Sequence, residues 1–224
     1  MAMRKYLLIG LGVVVLAAVG FAVGWQQGQA PQEGPEGTAA FLDDFWSNPV
    51  PPQGPPPTGF TPLEASLDPA RCGQCHPRKW QQWQDSLHSR TMGAGIWWQL
   101  RVKSPKQGRD CMRCHAPLAE QQALVGRELG WDGAPSDPPP AYVGKDLHRQ
   151  GLVCAGCHVR RHQRYGPPAE STLPADKAPH GGFVAQEAFS DSRFCAECHQ
   201  FPADGPSLNG KRRDDTRIQS TRQE

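Results

Sequence analysis

The sequence predicts a mostly α fold in which short helices and loops wrap around groups that the chain itself does not supply. Three features lead there. Only 38% of the 224 residues are apolar, too few to bury an ordinary core for this length. Gly 24 and Pro 23 make up about a fifth of the chain, which keeps regular elements short. One short pattern also recurs four times: two cysteines three apart, with a histidine directly behind the second. It falls at Cys72, Cys75 and His76, at Cys111, Cys114 and His115, at Cys154, Cys157 and His158, and at Cys195, Cys198 and His199.

Cysteines three apart on a helical turn lie on one side, and the next residue adds an imidazole over the same spot. That arrangement suits covalent haem attachment, with two thioethers on the porphyrin edge and the histidine ligating iron from one face. The competing readings are a four-cysteine zinc site, a disulfide pair or a dithiol redox loop. None of these needs the histidine. With 8 His in 224 residues, its recurrence behind all four pairs has chance odds of about one in a million. No cysteine lies outside the motifs, so none is left for a disulfide framework. The expected cofactors are four covalent haem c groups, whose porphyrins supply the missing apolar interior.

At the N-terminus, Arg4 and Lys5 precede twenty uncharged residues, Tyr6 to Trp25. As a helix these span about 30 Å, the thickness of a bilayer's hydrocarbon layer. Residues 1–25 therefore read as a membrane anchor. A cleaved signal peptide competes, because Gly28-Gln29-Ala30 resembles a cleavage site, although signal peptides usually carry a shorter apolar region. After Lys5 the next basic residue is Arg71, and Glu33, Glu36, Asp43, Asp44, Glu64 and Asp68 lie between. This charge bias keeps the N-terminal flank in the cytoplasm. The expected location is the inner, cytoplasmic membrane, with the haem domain facing the periplasm or cell exterior.

Residues 26–66 read as a Pro/Gly-rich linker that acts as a semi-rigid spacer. Within it, Ala39 to Trp46 is either a short amphipathic helix docking on the haem domain or a partner, or a local apolar cluster. Motif cysteines recur at intervals of 39, 43 and 41 residues, which reads as one tetrahaem domain over residues 67–206. Residues 207–224 form a charged C-terminal tail. Helices are expected over Pro77 to Ser89, Pro117 to Leu129 and Ser190 to His199, the last with a serine cap. Asp132 to Pro140 and Gly166 to Pro179 hold too much proline for regular structure.

In the first of these helices Trp80, Trp83, Leu87 and His88 fall at i, i+3, i+7 and i+8, which puts His88 on an aromatic, buried face. A lone histidine there is more often core packing than a ligand, but four irons need axial partners. Outside the motifs the chain has four histidines, His88, His148, His162 and His180, one for each iron. Met1 and Met3 lie across the membrane and Met112 sits inside a motif, so only Met92 competes. Bis-histidine ligation is therefore expected, with potentials lower than methionine ligation gives. His162 is the weakest of the four candidates, because it stands among Arg160, Arg161 and Arg164 and can instead pair with haem propionates.

Cys-Gly-Gln-Cys-His at 72–76 followed by Trp83-x-x-Ser86-x-His88, the run Gly151 to Arg160 with Gly166-Pro167-Pro168, and Phe194 to Phe201 resemble multihaem c-type cytochromes related to the tetrahaem electron acceptor of hydroxylamine oxidoreductase. The resemblance covers about Leu67 to Lys211. It implies a mostly α fold with closely stacked haem pairs, a distal-ligand role for His88 and periplasmic electron transfer. It also implies that one haem can be five-coordinate. In such relatives a segment like Leu208 to Lys211 leads on into a further Trp-containing helix, whereas here a charged run follows.

From Arg71 on, 22 basic and 16 acidic residues give +6 before eight propionates are counted. Propionates consume arginines, so the charge implies no nucleic-acid partner. The function expected is a membrane-anchored electron carrier, without catalytic residues of its own. It would link a quinol-oxidising membrane system to a periplasmic or extracellular acceptor. The alternatives are a haem enzyme acting on a small nitrogen or sulfur species at an open iron, and a structural tetrahaem subunit of a larger redox complex or filament. A tetrahaem quinol dehydrogenase sets its first haem close behind the anchor, and here 46 residues separate Trp25 from Cys72.

Overall fold

The computed structural model describes residues 35–47, 50–169 and 178–199. The expected anchor over Tyr6 to Trp25 and the charged tail lie outside them. Among the described residues no helix is long and apolar enough to cross a membrane.

Proline starts most of the helices. In α2 (Pro62–Ala65), α3 (Pro69–Gly73), α4 (Pro77–Asp85) and α6 (Pro105–His115) a proline occupies the first turn, where its missing N–H has no partner to lose. Thr61 with Glu64 and Ser104 with Gln107 add reciprocal capping boxes to α2 and α6. Asp68 caps α3 by accepting the Ala70 N–H. The remaining helices are α1 (Pro35–Phe45), α5 (Ala94–Val102), α7 (Ala119–Leu129), α8 (Cys154–His158) and α9 (Ser192–His199). Gly130, at φ 66°, ends α7 in the left-handed conformation.

Three of these helices correct the boundaries expected from sequence. The first stops at Asp85, not Ser89, because Ser86 is extended and both its N–H and its hydroxyl bond to the Trp83 carbonyl. A short 3₁₀ turn, His88–Arg90, follows. Trp80 and Trp83 are half-buried while Leu87 and His88 are exposed, so the four do not share one helical face. The second helix begins at Ala119, two residues past Pro117. The third begins at Ser192, where Asp191 and not Ser190 accepts an N–H, that of Arg193.

Strand is confined to three short pieces, β1 (Val159–Arg160), β2 (Gln163–Gly166) and β3 (Val184–Ala185). β1 and β2 form a hairpin, and β3 pairs parallel with β2. The hairpin turn is Arg161-His162, both at positive φ, a conformation that L-residues hold only when their surroundings enforce it. The 132–140 segment is irregular, as expected. Of 166–179, residues 167–169 are irregular and 170–177 lie outside the described residues.

The interior is divided among three small clusters. One joins Leu67, Leu118, Leu124, Val143, Leu147, Val153 and Val159, with Trp83 and Tyr142 against it. A second joins Met92, Trp97, Leu100, Met112 and Val125. Both described methionines outside the N-terminal segment are therefore core. The third gathers Phe45, Ala188 and Phe194 with Phe41, Trp46, Tyr165 and Phe189. Here residues 39–45 fold as part of α1 with Trp46 in the turn behind it, and the compact unit already includes Ala39. Val50 and Gln53 are also buried. Within the stretch read as spacer from its proline content, Phe45, Val50, Gln53 and Ala65 are thus buried, whereas residues 55–59 are exposed.

Arg160 ties this third cluster together. Its guanidinium lies 3.8 Å from the Phe45 ring centre and 5.1 Å from that of Trp46. It donates to the carbonyls of Phe45, Gly156 and Val159. Burial pulls its pKa down to about 10. A buried cation is tolerated when rings and carbonyls replace its water.

Candidate functional site

Each cysteine pair sits in or beside the last turn of a helix. The first begins inside α3 at Cys72 and ends just past it at Cys75, with the His76 N–H donating to the Cys72 carbonyl at 2.9 Å. The second closes α6, the third is α8 itself, and the fourth closes α9. A helical turn of this kind turns both thiols to one side.

The fold then brings motifs together out of chain order. The Cys72 and Cys154 thiols meet in a hydrogen bond, a contact that lowers the Cys72 pKa and raises that of Cys154. Cys198 and Cys114 meet in the same way, which raises the Cys198 pKa. Burial pushes Cys157 up to about 11, and neighbouring Cys195 adds to the rise. Arg113 and Glu197 form an ion pair that also joins the second and fourth motifs. The motifs thus neighbour one another in the order first, third, fourth, second.

The imidazoles show which nitrogen each has free. His115 Nδ1 meets the Thr91 carbonyl at 2.6 Å, His158 Nδ1 the Tyr165 carbonyl at 2.8 Å and His180 Nδ1 the Gly182 carbonyl at 2.9 Å. A carbonyl only accepts, so Nδ1 carries the proton and Nε2 keeps a lone pair for a metal. Histidine ligands are oriented in the same manner in metal sites generally. Desolvation lowers the His158 pKa against this bond, and the same is true of His180. The charge of His76 lowers both further, which places these three histidines in one neighbourhood.

The His88 and His199 rings are neighbours, with centres 6.2 Å apart and planes at 67°. Desolvation and then the charge of His199 lower the His88 pKa, favouring the neutral ring that binds metal. A metal–nitrogen bond of about 2 Å on each side, with about 1.2 Å from nitrogen to ring centre, sets such centres about 6.4 Å apart. Among the described residues no group of three or more His, Cys, Asp and Glu side chains is placed to hold a metal ion. An ion between these two rings would take its other ligands from outside the described chain. A tetrapyrrole supplies four in a plane, so the donor set suits haem better than zinc.

The other two expected ligands are engaged differently. His148 is buried, with Nε2 at 2.8 Å from Glu128 Oε2, its ring 5.8 Å from that of Trp97, and Nδ1 without a partner. Burial opposes ionisation of Glu128, but His148 and Arg149 together outweigh it and hold the carboxyl below its ordinary pKa. His162 is fully buried in the hairpin turn. Its Nε2 meets the Gly54 carbonyl at 3.0 Å, its backbone N–H donates to Gln53 Oε1, and its ring is edge-on to Tyr142. These contacts explain how the strained turn is held. They also turn His162 Nε2 away from ligation.

Sequence reasoning missed the residues that hold these rings in place. The Thr91 hydroxyl meets the carbonyls of His88 and His115 and accepts the Leu152 N–H. Trp83 Nε1 donates to the Leu152 carbonyl, and Gln121 Nε2 to the carbonyls of Leu147 and Gly151. The one available signal was position: Thr91 stands three residues past His88, where a short turn closes. Trp83 was read as a packing residue, but its indole N–H also bonds across 69 residues.

No family model matches the chain, and neither does any curated protein or solved structure.

Proposed function

We propose that the chain is a tetrahaem c-type cytochrome that carries electrons between a quinol-oxidising membrane system and an acceptor outside the cytoplasm. The observation that carries this reading is the His88–His199 pair, whose spacing suits one ion between two imidazoles. The four cysteine pairs would hold the haems covalently. His76, His115, His158 and His199 would ligate from one face, with His88 opposite His199. His180, its Nδ1 on Gly182, is oriented to serve near His76 and His158. When bound, c-type haems supply one-electron chemistry at iron.

The residues support transfer from group to group. Thiol contacts between the first and third motifs and between the second and fourth, joined by Cys157 beside Cys195, form one continuous line of attachment points. A relay needs such continuity. The N-terminal anchor and the position outside the cytoplasm belong to the same proposal and rest on the charge pattern of residues 1–71.

One observation favours a second reading. His162 Nε2 is bound to Gly54 and His148 Nε2 to Glu128, which leaves His88 and His180 as distal Nε2 ligands for four irons and keeps open a haem enzyme acting on a small nitrogen or sulfur species. Electron paramagnetic resonance of the oxidised, haem-loaded protein separates the two readings. Low-spin signals throughout, with no turnover of nitrite, hydroxylamine or nitric oxide, are expected for a carrier. A stoichiometric high-spin signal with multiple turnovers on any of the three would assign the enzyme.

A further inference from the structure

Between Asp85 and Asp110 the chain has no acidic residue and five basic ones, Arg90, Arg101, Lys103, Lys106 and Arg109. Folding concentrates three of them. Helix α5 turns Trp97 and Leu100 into the core and packs Ile96 against it. Trp98, Arg101 and Val102, at i, i+3 and i+4, are left on its outer face. Trp98 is 66% exposed and Val102 63%. Leu87 is more exposed still, but it adjoins His88 and belongs to that site.

Lys103 and Lys106 continue the patch into the start of α6. The first turn of α6 holds no acidic residue, although a helix N-terminus already carries positive potential and favours an acid there. Among the described residues Arg101, Lys103 and Lys106 make no ion pair, and Asp110 is the one acid on either helix. Arg109 leans over Trp131, its guanidinium carbon 5.8 Å from the ring centre. Such self-repelling charge is a cost to the isolated fold. The same helix ends at Cys111 to His115, within about 16 Å of its start.

We propose that the outer face of α5 and the start of α6 form the docking surface for an acidic redox protein, centred on Trp98 and Val102 and steered by Arg101, Lys103 and Lys106. The inference rests on the carrier reading. A small apolar centre within like charge suits a transient complex that must form fast and release fast. An anionic membrane surface is a poorer match. An interfacial helix inserts a whole apolar face, and α5 has committed that face to the core.

The test uses the full-length, haem-loaded protein in detergent micelles, with flavodoxin, an acidic one-electron carrier, as probe and a basic mitochondrial-type cytochrome c as comparator. Binding is read by surface plasmon resonance and haem reduction by stopped flow, at low and high salt. Flavodoxin binding and its bimolecular rate should each fall about tenfold or more with salt. The triple variant Arg101→Glu, Lys103→Glu, Lys106→Glu should lower both about tenfold at low salt, and Trp98→Ala should speed dissociation. Reduction by dithionite should not change, and the basic cytochrome should not bind the unaltered face. Equal flavodoxin binding by the triple variant and the parent would overturn the proposal. So would loss of binding only to phosphatidylglycerol vesicles. If dithionite finds no reducible haem, the carrier reading fails, and the plasmon-resonance arm still decides the docking surface.

Discussion

Replacing Gly151 by alanine should damage the fold more than the same change at Gly130, for a reason the two backbones isolate. Both glycines have positive φ, 73° and 66°, so a methyl at either costs about 1–2 kcal/mol of left-handed strain. At Gly130 a Cβ meets nothing within 4 Å. At Gly151 it would lie 2.5 Å from the His88 carbonyl oxygen and 2.7 Å from Thr91 Oγ1. Both atoms accept or share the Leu152 N–H, so neither can retreat without breaking a bond. Overpacking of this kind adds about 1–3 kcal/mol. Gly151→Ala should therefore cost about 2–5 kcal/mol and Gly130→Ala about 1–2. Urea unfolding followed by circular dichroism measures both. In the haem-loaded protein the Gly151 variant should also perturb the low-spin spectrum, because the moved carbonyl belongs to His88. Equal destabilisation of the two variants would refute the claim that the Gly151 segment clamps His88.

Glu64 should make the protein acid-sensitive over a defined window. The His180 N–H, then the Thr61 N–H and hydroxyl, hold its pKa at about 2 against an ordinary 4.5. A depressed carboxylate contributes stability above about pH 4.5 that is lost as pH falls toward 2. Glu64→Gln should thus be less stable than the parent at neutral pH and converge with it near pH 2, as urea midpoints against pH will show. His88→Ala should convert one low-spin iron to high-spin, whereas His162→Ala should leave spin state unchanged and cost about 2–4 kcal/mol of stability. The opposite spectral outcome would exchange their roles. Haem stain should stay with carbonate-washed membranes if Tyr6 to Trp25 is an anchor, and a soluble form beginning at Pro31 would identify a signal peptide instead.

The mostly helical fold was legible because it follows from composition, and the four motifs were legible because their spacing is local. Prolines were misread where they mattered most. Pro77 was read as a helix start and is one, but Pro62, Pro69 and Pro105 also begin helices, and a proline at a first turn looks the same in sequence as one in a spacer until the cap behind it is weighed. Thr61 with Glu64 and Ser104 with Gln107 spell that cap openly. Helix α6 was missed for this reason, and α5 because its outer face carries a tryptophan that blurs the periodicity. The early stop of α4 at Asp85 was harder to see, since it turns on Ser86 taking an extended backbone and bonding back to the Trp83 carbonyl. What His162 does depends on Gly54, 108 residues away, and no local pattern reports such a contact.

The thiol contacts between motifs bear on how the protein is made. Cys72 and Cys154 stand 82 positions apart and Cys114 and Cys198 84, so they meet only after the chain has closed on itself. If the motifs carry covalent haem as proposed, each pair is, before closure, a separate, reachable target for an attachment enzyme. After it, each of these thiols is half-buried against its partner, and an oxidant taking two electrons and two protons from the pair would join the wrong two sulfurs. On that reading the fold sets a deadline: covalent loading would belong to the nascent or open chain, and a polypeptide that collapses first would have narrowed its access and brought its own competing thiols into contact.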